Sequence, residues 1–127
     1  MAGEVKLAIV GATGAVGQEM LKILEERHFQ LKELICLADP REAGKKINFR
    51  GEELTVRGAN EAAFKEADIA LFAVGNDISK QLAPLAKKNN CLVIDNSNAF
   101  RLDKEVPLVV PEVNAEDIRS HKGIISF

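Results

Sequence analysis

The sequence has no tryptophan and no tyrosine, and it has only two cysteines and two histidines in 127 residues. Cys36 and Cys91 each lie inside an apolar run, which favours free thiols in a reducing cytoplasm over a disulfide framework. His28 has neither a cysteine nor a group of carboxylates beside it, so we expect it to cap a helix rather than to bind a metal. We therefore expect a cytoplasmic protein without a metal site.

The chain also lacks an excess of charge of either sign and any long hydrophobic run. Its 17 Lys and Arg against 19 Asp and Glu give a net charge of −2, which argues against a nucleic-acid partner. No apolar run approaches the roughly 20 residues of a membrane span, and the N-terminus has no signal-peptide pattern. The composition, 46% apolar and 28% charged, is that of an ordinary globular protein, and we expect one domain over residues 1–127.

The most informative stretch is a glycine-rich segment near the N-terminus. A short apolar run ends in Gly11, Gly14 and Gly17, and an amphipathic helical pattern follows at once. This order predicts a strand, a tight turn and a helix whose first N–H groups face a pyrophosphate. Gly11 permits the turn, Gly14 permits close approach of the phosphates, Gly17 permits close packing of the helix, and Thr13 offers a hydroxyl donor. Because the spacing is G-x-x-G-x-x-G rather than G-x-G-x-x-G, a plain turn under a closely packed helix is the alternative.

Strand and helix patterns alternate along the rest of the chain, which predicts an α/β fold, Rossmann-like and doubly wound, with a mostly parallel sheet. Further strands are predicted at 31–38, 47–49, 54–56, 69–74, 92–94, 108–110 and 124–125, and further helices after Asn60, after Asp77 or Ser79, and over 115–119. Pro84 lies inside the third of the predicted helices and implies a kink or a later start.

Ligands of open α/β sheets bind beyond the carboxyl ends of the strands, where four loops of this chain meet. In the loop after the second strand, Asp39 lies 22 positions past the last glycine (39 − 17), an offset that favours a bond to the ribose hydroxyls of NAD. Arg41, Lys45 and Lys46 offer a site for the 2′-phosphate of NADP, whereas Asp39 and Glu42 would repel it. A solvated charged loop is the alternative.

Two more loops complete this edge. Gly75 follows an apolar strand and lets the backbone approach a flat ring or a ribose, although a simple strand-to-helix turn explains it equally well. The polar run at 95–101 follows the next strand directly, so it forms either a turn or a site. It ends in Arg101, whose forked cation suits a phosphate or a carboxylate. A surface arginine is the alternative.

Four motifs in this order closely resemble aspartate-semialdehyde dehydrogenase, and the match covers essentially the whole chain. They are Gly-Ala-Thr-Gly-Ala-Val-Gly at 11–17, Arg-Glu-Ala-Gly-Lys at 41–45, Asp-Asn-Ser-Asn-Ala-Phe-Arg at 95–101 and Val-Pro-Leu-Val-Val-Pro-Glu-Val-Asn at 106–114. The resemblance implies an oxidoreductase of lysine, methionine and threonine biosynthesis, which reduces L-4-aspartyl phosphate with NADPH to the semialdehyde and inorganic phosphate. N-acetyl-glutamyl-phosphate reductase is related in mechanism, but the motif at 95–101 fits it less well.

The resemblance also implies roles for individual residues. It assigns the cofactor pyrophosphate to Thr13, Gly14, Ala15 and Val16, the adenosine 2′-phosphate to Arg41, the nicotinamide side to Gly75 and Asn96, and the acyl phosphate or free phosphate to Arg101. The family usually has small hydroxyl residues around Arg41, where this chain has Asp39 and Glu42. The implied cofactor is therefore NADP, with NAD as the other possibility. The family also commonly has Gly-Ser where this chain continues from Gly75 into Asn76.

In the family, a Gly-Ile-Ile run leads into Pro-Asn-Cys, whose thiolate attacks the acyl phosphate. Here the Gly-Ile-Ile run at 123–125 is followed by only two residues. We therefore expect a cofactor-binding domain without catalytic residues, inactive as an isolated chain, that self-associates or pairs with a C-terminal catalytic domain. Two alternatives remain: a stand-alone NAD(P)-binding module that senses redox state, and a short-chain or atypical reductase, against which the absence of tyrosine counts.

Overall fold

The computed structural model describes residues 5–28, 30–97, 99–100, 106 and 123–126. Its elements, in chain order, are β1 (Lys6–Val10), α1 (Ala15–Glu26), β2 (Glu33–Ala38), β3 (Lys46–Phe49), β4 (Glu52–Thr55), β5 (Arg57–Gly58), α2 (Glu61–Glu66), β6 (Ile69–Phe72), α3 (Asn76–Lys88), β7 (Leu92–Asp95) and β8 (Ile124–Ser126). A 3₁₀ turn, Pro40–Glu42, follows β2.

Six of the described strands form one parallel sheet in the order β5-β2-β1-β6-β7-β8. Leu7 of β1 is the register partner of Leu34 on one side and of Ile69 on the other. The strand order therefore runs outward from β1 in both directions and reverses between β1 and β6, which is where doubly wound sheets bind their ligands. This confirms the predicted α/β, Rossmann-like fold with a parallel sheet.

The two faces of the sheet bury separate apolar clusters because neighbouring residues of a strand point to opposite sides. Ala8 and Val10 belong to a cluster that includes Phe64 of α2 and Ala83 of α3. Ile9, between them, belongs to a second cluster on the side of α1. Helices therefore lie on both faces of the sheet.

A small antiparallel hairpin, β3 and β4, lies beside α1 and turns at Arg50 and Gly51, both with positive φ. The backbone N–H of Arg50 donates to the Glu25 carboxylate over 2.6 Å, and its guanidinium donates to the carbonyl of Leu24 over 3.1 Å. These bonds fix the hairpin to the last turns of α1.

The structure also corrects several predicted boundaries. α1 begins at Ala15, before the last glycine of the loop, and α3 begins at Asn76 with Gly75 as its N-cap. The expectation that Pro84 delays the start of α3 is wrong, since the helix runs through Pro84 to Lys88. The two-residue strand β5 is too short to give a sequence pattern. The strand predicted at 108–110 and the helix predicted at 115–119 lie outside the described residues.

Candidate dinucleotide site

Gly11 and Gly17 hold the loop between β1 and α1 tightly against the sheet. Gly11 has φ of +89°, and its N–H donates to the carbonyl of Leu37 over 2.8 Å. A Cβ at Gly11 would collide with the carbonyl oxygen of Ala73, and a Cβ at Gly17 would collide with the carbonyl oxygen of Gly11. Both glycines are therefore required by the fold itself.

Gly14 differs from these two glycines because nothing inside the fold requires it. It is the N-cap of α1 with an ordinary φ of −81°, and a Cβ there would have only the Gly11 carbonyl oxygen nearby, at 3.5 Å. Gly14 and Ala15 are exposed, and Val16 is 47% exposed despite its apolar side chain. The open side of the loop can therefore receive a group that must come close to the backbone.

The start of α1 suits an anion. The first N–H groups of a helix have no acceptor within the helix, and the aligned peptide dipoles make this end positive. The first turn of α1 contains no acidic residue that would neutralise it. Thr13, one residue before the N-cap, accepts a bond from the Gln18 side-chain amide at its carbonyl oxygen over 3.0 Å, which ties the loop to the helix.

A cavity of about 310 Å³ lies beside this loop at the carboxyl edge of the sheet. It lies beside the point where the strand order reverses, and it is bounded by the ends of β1 and β2, by Val74 after β6 and by the first turns of α3. Its described lining consists of Val10, Ala38, Asp39, Pro40, Ala59, Val74, Ile78, Gln81 and Leu82. Mostly apolar walls with a few polar groups are typical of a site for an aromatic base.

Asp39 was identified from the sequence, but the part of the cavity that α3 contributes was not. Ile78 and Leu82 are apolar and lie one helical turn apart in α3. Both line the cavity, and Ile78 is 42% exposed. One sequence feature would have indicated that α3 lines the cavity. Ile78 is an apolar residue in the first turn of a helix, and that helix follows a glycine at the end of a strand.

Asp39 and Arg41 bind each other at the rim of the cavity. Asp39 Oδ1 accepts from the Arg41 backbone N–H over 2.9 Å and from Arg41 Nε over 3.0 Å. The hydrogen bonds from the Arg41 side chain and backbone lower the pKa of the Asp39 carboxyl below its usual value, so Asp39 is ionised at neutral pH. The Arg41 side chain is 89% exposed and that of Asp39 is 46% exposed.

Gly75 and Asn96 lie at the ends of β6 and β7 on the same edge of the sheet. Gly75 has an ordinary φ of −68°, and a Cβ there would meet no atom within 4 Å, so it too is a glycine that the fold does not require. The N–H of Asn96 donates to the carbonyl of Phe72 over 3.2 Å, and its side chain is exposed. Arg101 lies outside the described residues.

A buried carboxylate, Asp95, organises the turn that carries Asn96. Its oxygens accept from Ser79 Oγ over 2.9 Å, from the Ser97 N–H over 3.1 Å and from Ser97 Oγ over 2.7 Å. The polar run was predicted from the sequence, but Ser79 as its partner was not. The alternation of side chains along β7 does indicate a partner in α3, because Asp95 lies on the same side of β7 as Val93, which faces α3.

The cysteines of the chain are not part of this site. Cys36 and Cys91 are buried free thiols, and burial raises the pKa of each from 9.0 to about 11. Such thiols are poor nucleophiles at neutral pH. No group of three or more potential metal ligands occurs within the described ranges. In that same part of the chain, no helix has both the length and the apolarity to cross a bilayer.

The structure therefore brings the glycine loop, Asp39, Gly75 and Asn96 to one edge of the sheet. Gly14 and Gly75 have room for a side chain and ordinary backbone angles, so their open sides leave space that a bound group can fill. A nicotinamide dinucleotide fits this arrangement: the helix start faces a pyrophosphate, the cavity accepts an adenine, and Asp39 lies where a ribose would follow.

Comparison with known proteins agrees with this geometry. The family described as "Semialdehyde dehydrogenase, NAD binding domain" matches residues 6–121. Aspartate-semialdehyde dehydrogenase of Bacillus subtilis is 52% identical over 120 residues, which cover 94% of this chain and 35% of that protein. The chain thus spans about a third of the length of this relative.

Solved structures give the same result. A structure of aspartate semialdehyde dehydrogenase II from Vibrio cholerae, complexed with ASA, has a TM-score of 0.92 and 43% identity, over 97% of this chain and 41% of that one. The Candida albicans aspartate semialdehyde dehydrogenase with NADP has a TM-score of 0.82 and 25% identity, over 97% of this chain and 42% of that one.

Proposed function

The chain belongs to the family of semialdehyde dehydrogenase NAD-binding domains, and from this membership we propose that it binds a nicotinamide dinucleotide at the carboxyl edge of its sheet. The observation that carries the proposal is Gly14, an exposed glycine at the start of α1 whose side-chain position is open. It lies in the same loop as two glycines that the fold does require, so its lack of a side chain is explained by a ligand.

Each part of the cofactor has a proposed set of contacts. The pyrophosphate lies against Thr13, Gly14, Ala15 and Val16, where the N–H groups of the helix start point. The adenine enters the cavity, and the ribose lies beside Asp39. The nicotinamide extends toward Gly75 and Asn96. The family resemblance implies NADP, and NAD is the other candidate; both share the groups that these residues contact.

We extend the proposal to the whole protein by resemblance. Such a protein reduces L-4-aspartyl phosphate to the semialdehyde, and Arg101 binds the acyl phosphate or the released phosphate. Residues 1–127 are the cofactor-binding domain, which self-associates or pairs with a catalytic domain. The buried free thiols support a cytoplasmic location. A stand-alone redox-sensing module is not favoured, because the relatives named above are dehydrogenases.

Two glycine variants test the cofactor site. Gly14→Ala should weaken binding of NADH and NADPH about tenfold or more, because the methyl group occupies the place of the pyrophosphate. Its free energy of unfolding should change by less than about 1 kcal/mol, since the fold leaves room for the methyl group. Binding is measured from the fluorescence of the reduced nicotinamide, which no tryptophan obscures in this chain, and stability from thermal melting.

Gly17→Ala is the matched contrast within the same loop. Its Cβ would collide with the Gly11 carbonyl oxygen, so it should destabilise the fold by about 1–3 kcal/mol. Glu26→Ala, an exposed change at the far end of α1, should alter neither property. If Gly14→Ala bound both cofactors as tightly as the unmodified chain, the proposed site would be wrong.

A further inference from the structure

The charges around the cavity indicate which of the two dinucleotides, NAD(H) or NADP(H), binds there more tightly. Resting on the proposed function, we infer that the adenosine cavity accepts a ribose with a free 2′-hydroxyl, so that NAD(H) binds more tightly than NADP(H). This departs from the NADP that the family resemblance implies. It rests on one acid that borders the cavity and on the partners of three nearby cations.

Asp39 has the position of a ribose ligand. It directly follows β2, the strand that lies beside β1 and the glycine loop, and it lines the cavity. Among the described lining residues it is the only charged one. A carboxylate there accepts hydrogen bonds from both ribose hydroxyls of NAD, and it repels the doubly charged 2′-phosphate of NADP.

The three cations that would offset this repulsion already have partners. Arg41 is bound through its Nε to Asp39, and Lys45 forms an ion pair with Glu42. The Nζ of Lys46 donates to Thr55 Oγ1 across the hairpin over 2.6 Å. None of these three cations is among the described residues that line the cavity.

Rotation of Arg41 toward a phosphate would not remove the obstacle. Exposed ion pairs are weak, so Arg41 can leave Asp39 at little cost. However, this movement would leave Asp39 facing the phosphate without its own counter-ion. The acid, rather than the cation, therefore sets the preference, and a single repulsive contact of this kind is worth about tenfold in affinity.

The experiment compares dissociation constants of NAD⁺ and NADP⁺ for the chain by titration calorimetry. We expect NAD⁺ to bind about tenfold more tightly. Asp39→Ser should weaken the binding of NAD⁺, strengthen the binding of NADP⁺ and so reverse the preference between them. The reason is that it removes the repulsive charge and frees Arg41. Adding Arg41→Ala to Asp39→Ser should abolish the gain for NADP⁺.

Glu53→Gln is the matched control. It also removes one negative charge, but at an exposed position of β4 that is not among the described residues lining the cavity, so the ratio of the two constants should shift by less than about threefold. If the unmodified chain bound NADP⁺ more tightly than NAD⁺, or if Asp39→Ser left the ratio unchanged, the inference would be overturned while the proposed function stood. If neither dinucleotide bound, the proposed function itself would fail.

Discussion

Packing inside the fold requires Gly11 and Gly17, whereas the fold leaves room for a side chain at Gly14 and at Gly75. A Cβ at either of the first two would meet backbone oxygen atoms, and a Cβ at either of the second two has free space. The sequence shows the four glycines as equivalent letters. Only the structure separates those that close the turn from those that leave room for a ligand.

At the same scale, the two buried thiols lead to a prediction about how the stability of the fold depends on pH. Burial raises the pKa of Cys36 and Cys91 to about 11 in the folded chain, so the folded state retains these protons when an unfolded thiol, with a pKa near 9.0, has lost them. Stability is therefore constant with respect to these groups below about pH 9, and it falls as the pH rises from about 9 to about 11.

Chemical denaturation at a series of pH values measures this loss. Replacing both cysteines by alanine should remove this component of the pH dependence. Thiol-reactive reagents should label neither cysteine at neutral pH until the chain is unfolded, because about one thiol in ten thousand is ionised. Rapid labelling of the folded chain would contradict the buried position of the cysteines.

At the scale of elements, the sequence predicts β1, β2, β6 and β7 well because each strand of a sheet covered on both faces is a nearly continuous apolar run. It predicts element ends less well. α3 begins at its glycine cap and includes Pro84, since tertiary packing keeps a helix together where local propensity is poor. The lining of the cavity by α3 was also missed, because exposure of Ile78 depends on how the helix lies over the sheet.

The hydrogen bond between Ser79 of α3 and Asp95 of β7 links two elements and is wholly buried. Ser79→Ala should lower the free energy of unfolding by about 1–3 kcal/mol, because it removes one donor from a buried carboxylate. Lys80→Ala, the exposed neighbour in the same helix, should change it by less than about 0.5 kcal/mol. Denaturant unfolding measures the free energy of unfolding of both variants. Equal losses would show that the hydrogen bond between Ser79 and Asp95 does not stabilise the fold.

At the scale of the whole molecule, the alternation of strand and helix patterns predicted the fold class and the edge of the sheet at which the candidate residues gather. It did not predict how the charged loop after β2 pairs its residues. Those pairs depend on the Pro40–Glu42 turn, which lets the Asp39 carboxylate accept the N–H of Arg41. A family pattern gives the position of a site, and the local substitutions within it decide which ligand fits.

The sheet also leaves an apolar groove of about 260 Å³ on the side of α1, and this groove bears on how the chain associates. Its described lining consists of Val5, Leu7, Leu24, Leu31, Ile69, Leu71 and Ile94, all of them apolar. α1 covers β1 and β2 on this side, whereas Ile69, Leu71 and Ile94 of β6 and β7 are only half-buried. An apolar surface of this kind favours contact with another protein surface over contact with water.

We therefore predict that the chain self-associates with a concentration dependence that sedimentation velocity detects. Ile94→Lys should shift the chain toward monomer, because a charge in the groove opposes its burial in a contact. Lys88→Ala, an exposed change at the end of α3, should leave the association unchanged. Thermal melting of each variant separates lost association from lost folding. A chain that sediments as a monomer at every concentration would contradict this prediction. It would indicate that the groove remains exposed to water.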